Sequence, residues 1–545
     1  MSDFKLTRES KLIILTAVLA SLLEIIDTSI VNVAIPTMMG NLGATLEDIS
    51  WVVTGYIIAN AIVLPISAWL GSRIGRKKYY VGCILVFTFA SVLCGLAPNL
   101  LSLTIFRIIQ GLAGGALLPT SQTLIQEQFP REKAGMGSAI YGMSVMVGPT
   151  LGPTLGGFLT DHYGWRSIFN INLPLGLIAA FLAFVYVSSP SHEQGGQQQE
   201  GQRQEGQRQE GVVASEKKKA PMDSIGLALL CLGVGCLQYI LERGQADEWF
   251  DSITIRVCTL VAVVCIPSFV VWELKVSHPI INLKLFKDSV VRNGTLLMSC
   301  VGTMLFGMIF MLPVFVGRVM HFDATQTGEL FIPGALLTAF CMPFVGQLLK
   351  RVNPKYLIFF GVVVVEMCLY MMTLFTAQSG YWDLFWALLV RGLGMAFLFV
   401  PINTMVLGKY RGENLGQAAG LLNLSRQLGG SLGIALIATL VQRLSHQNYS
   451  DLMTHVTLLH SSTYSTFQGL EASLAVKAQN QLGFVIPHTA ALKMMSNRVD
   501  LQAFVLSFRQ VISLLFFLFA LSLIPLLLLR LDKRKQGSSV PLDLH

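Results

Sequence analysis

Between residues 12 and 530 the chain carries fourteen apolar stretches, each long enough to cross the roughly 30 Å hydrocarbon core of a bilayer. Backbone N–H and C=O groups in hydrocarbon must be satisfied within their own segment, so each stretch is expected to be a helix. The fold class that follows is an all-α polytopic membrane protein. Hydrophobic residues make up 53% of the chain and charged residues 13%, with a mean hydropathy of +0.60, which excludes an ordinary soluble globular protein. If both termini are cytoplasmic, most of the 39 Lys and Arg fall in inside loops and tails, and the short outside loops hold only Arg166, Arg243 and Arg318. The formal charge of +8 is therefore a topology signal and implies no nucleic-acid partner. The first apolar stretch contains Glu24 and Asp27 and is expected to remain as a signal anchor. The nine cysteines lie in or beside apolar stretches without metal or disulfide spacing and read as small packing residues.

Two segments stand apart. Residues 189–221 are polar and contain three similar five-residue units, beginning at Gly196, Gly201 and Gly206, and are expected to form a disordered cytoplasmic linker. Residues 443–503 form a long extracytoplasmic stretch of mixed polarity, with 468–482 expected as a short amphipathic helix, serving as a cap or as a docking site for another protein.

An internal repeat relates the two ends of the chain. A shift of 281 residues superimposes Glu132, Gly135, Ser144, Gly148, Leu151 and Gly152 on Glu413, Gly416, Ser425, Gly429, Leu432 and Gly433. A shift of 278 sets Arg73, Ile74 and Lys77 against Arg351, Val352 and Lys355. The paired elements are an even number of spans apart, so the repeats run parallel. The expected organisation is an N-terminal six-helix half at 1–188, the linker, two inserted helices at 222–290 and a C-terminal six-helix half at 291–545.

Inside the fifth stretch lies the run Gly148-Pro149-Thr150-Leu151-Gly152-Pro153-Thr154-Leu155-Gly156-Gly157. Such a run breaks a soluble helix; in a bilayer it reads as a bent, thin-walled helix that partners approach closely. Together with Leu23 to Pro36 in the first stretch, the basic loop Gly71-Ser72-Arg73-Ile74-Gly75-Arg76-Lys77-Lys78 and Arg107-Ile-Ile-Gln110-Gly111 in the fourth, it resembles the fourteen-span drug:proton antiporter family of the major facilitator superfamily, the EmrB/QacA type. Ser72 departs from the acidic residue usual in that loop. The resemblance implies a major facilitator fold, a multi-pass protein of the bacterial inner membrane and efflux of lipophilic or amphipathic compounds in exchange for protons. It also points to Asp27 and Arg107 as a proton relay, to Arg73, Gly75, Arg76 and Lys77 as a gating loop, and to a periplasmic adaptor and an outer-membrane channel as partners.

The chemistry expected from the residues themselves rests on charges inside the membrane, each costing at least ~2.5 kcal/mol near the bilayer centre. Glu24, Asp27, Arg107, Glu366, Arg391 and Arg426 therefore need partners or a wet cavity. Glu24 and Asp27, three residues apart, share a helical face and are expected to titrate as a coupled pair. Glu366 and Arg391 are expected to pair across adjacent spans. Asn32, Gln110, Glu366, Arg391 and Arg426 are the candidate cavity residues, and the Gly-Pro residues are the seam on which the halves rock. No nucleophile, metal-ligand or P-loop spacing appears, so no enzyme, metal or cofactor is expected and the proton gradient is the energy source. The alternative is a dedicated exporter of one endogenous siderophore or fatty-acid-like metabolite.

Overall fold

The computed structural model describes residues 6–188, 223–277, 279–322, 324–456, 461–480 and 487–529; the 189–221 linker lies outside these described residues. Among the described residues fourteen helices correspond to the expected spans: α1 Arg8–Leu42, α2 Glu47–Ile74, α3 Arg76–Leu96, α4 Leu100–Glu127, α5 Ala134–Tyr163, α6 Ser167–Tyr186, α7 Ser224–Arg243, α8 Ile253–Lys275, α9 Ser289–Met320, α10 Gln326–Leu348, α11 Pro354–Thr373, α12 Tyr381–Leu407, α13 Gly412–His455 and α14 His488–Leu528. Thirteen are long and apolar enough to cross a membrane. The remaining one, α5, spans 30 residues, and its glycines, prolines and threonines dilute its hydropathy.

The internal repeat appears as a repeated packing rule. In the first half α1 packs on α5 and α6, α4 on α2 and α3, and α3 on α6. In the second half α9 packs on α13 and α14, α12 on α10 and α11, and α11 on α14, which is the same set of pairs eight helices later. The halves meet reciprocally, α5 against α10 and α2 against α13. The two inserted helices pack on each other, and α7 also rests on α2 and α13.

Glycine decides where helices touch. A Cβ at Gly148 would meet Ile25, at Gly152 the Ser29 side chain, and at Gly156 the Ile30 carbonyl at 2.9 Å, so the glycine face of α5 is moulded to α1. Gly429 and Gly433 on α13 meet Ser299 and Thr303 of α9 in the same way. Hydroxyls mark both seams: Ser29 donates to the Gly148 carbonyl at 3.5 Å, and Thr303 to that of Gly429 at 2.8 Å. Gly157 is buried too, whereas Pro149 and Pro153 are half-buried. The Gly-Pro run does not break the helix, which is continuous from Ala134 to Tyr163. Another edge of α5 faces the second half, with Gly135 against Gly346 and Gly142 against Met342.

Residues 443–503 are largely not a loop. Helix α13 continues to His455, α14 begins at His488, and a helix at Ser461–Asn480 lies between them. With 44 residues α13 is about 66 Å long, roughly twice what the hydrocarbon requires. Apolarity marks where a helix is in lipid, and the polar part of this one kept its helical hydrogen bonds beyond that boundary.

The turn between α2 and α3 depends on Gly75, whose φ of 98° is closed to most side chains. Around it Arg76 makes both oxygens of Glu127 its partners at 2.6 and 2.7 Å, Arg73 lies over Trp69 and Lys77 over Phe184. Arg76 thus finds its acidic partner at the end of α4.

Candidate functional site

Helix α4 is interrupted after Gly114, and its lower piece restarts at Leu117. At the break α2 approaches closely: a Cβ on Gly114 would lie 2.9 Å from the Tyr56 hydroxyl, and one on Gly115 2.6 Å from the Asn60 carbonyl. An interrupted helix leaves first-turn N–H groups without intrahelical acceptors, and these attract an anion. Glu24 fills that role. One carboxylate oxygen accepts the Leu118 N–H at 3.1 Å, and the other accepts from Asn60 Nδ2 at 2.8 Å.

One turn higher on α1, Asp27 sits in a separate cluster. Its Oδ2 accepts from Arg107 Nη1 at 2.6 Å, and its Oδ1 accepts from Gln110 at 2.8 Å and Asn172 at 2.7 Å. Asn172 also donates to Ser91, and Gln110 Oε1 accepts from Arg107 at 2.8 Å. The guanidinium donates its Nε–H to the Val52 carbonyl and lies 4.1 Å above the Tyr56 ring. Both members of this ion pair are shut off from solvent, at 1% and 0% side-chain exposure. The hydrogen bonds around the pair offset part of the cost of burying it, although Asn172 Oδ1 is buried without a partner.

Glu24 and Asp27 lie one turn apart on α1, and their oxygens take different donors. Arg426 and Asp27 both lie close enough to act electrostatically on Glu24. Arg426 comes from α13 of the other half. Its Nη2 donates to Asn423 Oδ1 at 3.2 Å, an atom that also accepts from Tyr141 at 2.9 Å. Asn423 Nδ2 donates to Gln122, whose own amide donates to Asn403 at 2.5 Å. Gln122 and Asn403 are separated by 281 positions, the repeat offset, so this bond joins equivalent residues of the two halves. Further toward the basic-loop side, Arg411 donates to the carbonyls of Gln126 and Phe129.

Glu366 and Arg391 are not brought together. Both oxygens of Glu366 and Nη1 of Arg391 are buried without hydrogen-bond partners. It is Cys368, not Glu366, that neighbours Arg391, and two positions on a helix are about 200° apart. Asn32 lies outside both clusters, exposed on an α1 face with Pro36, Thr37 and Gly40. Sequence reasoning missed Asn60, Gln122, Tyr141, Asn172, Asn403 and Asn423. The available signal was an amide within an apolar stretch, and for Gln122 and Asn403 the repeat offset as well. Among the described residues no group of three or more His, Cys, Asp or Glu is placed to hold a metal.

The family model described as Major Facilitator Superfamily matches residues 17–434. The chain belongs to the major facilitator superfamily. This transporter is 31% identical over 489 residues to the multidrug export protein EmrB of Escherichia coli strain K12, covering 89% of this chain and 91% of the relative. It is 32% identical to the fatty acid resistance protein FarB of Neisseria gonorrhoeae, over 86% of this chain and 90% of that one. Among solved structures it resembles an inward-facing bacterial homologue of the human lysosomal transporter Spinster, with a TM-score of 0.55 at 14% identity, covering 96% and 98% of the two chains. The proton:xylose symporter XylE gives the same TM-score at 14% identity over 79% of this chain and 88% of that one. The transporter is therefore a multi-pass protein of the bacterial inner membrane built on the major facilitator fold, and its relatives are transporters of small molecules rather than enzymes.

Proposed function

We propose that this transporter exports lipophilic or amphipathic compounds from the cytoplasm in exchange for protons, by alternating access. The observation that carries the reading is the buried Asp27–Arg107 pair. Ionised, Asp27 accepts three hydrogen bonds from α4 and α6. A proton arriving on Oδ2 sets a donor against the Arg107 donor, and the tie between α1 and α4 weakens. Glu24 adds the link to the other half. Protonating it removes both the anion that caps the lower piece of α4 and the charge facing Arg426. Proton occupancy is thereby coupled to contacts within the first half and between the halves.

In this reading the described state is the one closed toward the cytoplasm, because the hydrogen bonds of Gln122, Asn403, Asn423 and Arg411 join the halves on the basic-loop side. Substrate leaves to the outside, Asp27 and Glu24 take up protons, and the returning conformation delivers them inward. No cofactor takes part. The long α13 and α14 and the helix Ser461–Asn480 are the surface we assign to a periplasmic adaptor leading to an outer-membrane channel. The test is proton flux in everted vesicles. Asp27→Asn should abolish substrate-induced flux, and flux equal to that of the parent refutes the proton role. A second reading, export of one endogenous fatty-acid-like metabolite, draws on the similarity to a fatty acid resistance protein; a deletion strain that accumulates a single compound, without broad drug sensitisation, distinguishes it.

A further inference from the structure

The second half contains a cation with no counter-charge among the described residues. Arg391 lies on α12 about 15 Å below the end at Tyr381, near the middle of the membrane. It is 7% exposed, and its Nη1 is buried without an acceptor. Phe331 of α10 lies beneath it, with the ring centroid 5.6 Å from Cζ. Among the described residues no carboxylate stands beside it: Cys368 is its titratable neighbour, and Glu366 is directed elsewhere on α11.

The repeat shows what is missing. The offset of 281 sets Arg391-Gly392-Leu393 on Gln110-Gly111-Leu112, and in the first half Gln110 bridges Arg107 and Asp27. The same offset sets Asp27 on Met308 and Glu24 on Leu305, and α9 has no Asp or Glu along its length. The second half thus places a guanidinium where the first half closes its ion pair, but supplies an apolar wall in place of the acid. A buried guanidinium is held at a cost unless an anion meets it.

We propose that Arg391 is the subsite for the carboxylate headgroup of an amphipathic substrate, whose apolar part lies against Phe331. The planar fork of the guanidinium matches a carboxylate with two parallel hydrogen bonds, and the low-polarity surroundings strengthen them. The proposal deepens the export reading and rests on it. In the pseudo-symmetric arrangement the first half handles the proton and the second half the anion.

The test uses dodecanoate and dodecyltrimethylammonium, which share a tail and differ in headgroup charge. Binding to the purified full-length protein in zwitterionic nanodiscs is measured as ligand-dependent protection against thermal unfolding, with empty nanodiscs as the control, and export is followed in everted vesicles. The parent should bind dodecanoate saturably. Arg391→Gln should weaken that binding about tenfold or more and lower the ratio of dodecanoate to dodecyltrimethylammonium export by a similar factor. Arg391→Lys, which keeps the charge but loses the fork, should weaken it less, and serves as the variant if the glutamine protein does not fold. Parent protein that fails to bind dodecanoate, or either variant binding it as tightly as the parent, overturns the subsite. Saturable binding lost in the variants, with no export of either probe by the parent, sustains the subsite and refutes the export reading instead.

Discussion

The Asp27–Arg107 pair can be dissected by a double-mutant cycle whose outcome the geometry dictates. In Asp27→Asn, the amide oxygen still accepts from Gln110 and Asn172, but its nitrogen meets Arg107 Nη1, donor against donor, and the guanidinium loses its counter-charge. Removing one partner of a buried pair costs about 3–5 kcal/mol, and the two surviving hydrogen bonds put this variant near 3. Arg107→Gln also forfeits the bond to the Val52 carbonyl and the stacking on Tyr56, which places it nearer 5. The double variant leaves no unpaired charge. Its loss should therefore fall short of the sum by about 2–3 kcal/mol, the upper part of the roughly 0.5–3 kcal/mol seen for residues in direct contact. Denaturant and thermal unfolding in detergent micelles measure the three losses, and substrate-induced proton flux in vesicles should be absent in all three proteins. Losses that add to within about 0.5 kcal/mol would show that the pair is not energetically joined, and the argument for a protonation switch would fall with it.

Gly152→Ala should destabilise the protein by about 1–3 kcal/mol, because the new methyl would sit 2.7 Å from Ser29 Cβ and 3.0 Å from the Ile30 nitrogen, whereas Gly82→Ala, with nothing within 4 Å, should be neutral or slightly stabilising; thermal unfolding compares them. Outside the membrane, Asp288 is held below the ordinary carboxylate value of 3.8, although partial burial opposes this, by hydrogen bonds from the Val290 N–H, Lys409 and Tyr410. A lowered folded-state value means that this contact stabilises the protein above the ordinary value and is lost as pH falls through 3.8 toward the folded one. Melting curves of Asp288→Asn and the parent should accordingly differ at neutral pH and converge at the acid end. Tyr410, raised to about 12 by burial and then by Asp288, stays a donor throughout.

Much of the fold was legible because a bilayer leaves few options. Apolar length required helices, and the glycine pattern shared by α5 and α13 disclosed the repeat that packing then reproduced pair by pair. The limits were equally physical. Hydropathy marks the lipid boundary and not the end of a helix, so α13 and α14 run well past their apolar segments. Spacing along one helix places residues on a face but does not say which neighbour supplies a donor. Hence Glu24 and Asp27, alike in sequence terms, went to a broken helix and to an arginine respectively. The Glu366–Arg391 pairing failed for the same reason, since adjacency of spans does not set the rotation of either helix.

By itself, the sequence determined the class, the parallel repeat and the list of charges that the membrane would not tolerate alone. Only the tertiary structure decided how those charges are satisfied: Asp27 by three donors from two helices, Glu24 by the freed N–H of α4, Arg426 through Asn423, and Arg391 by no acceptor at Nη1. The reason is that a desolvated charge is stabilised over a few ångströms by groups whose positions depend on the rotation and register of separate helices, and neither quantity is written along any one of them.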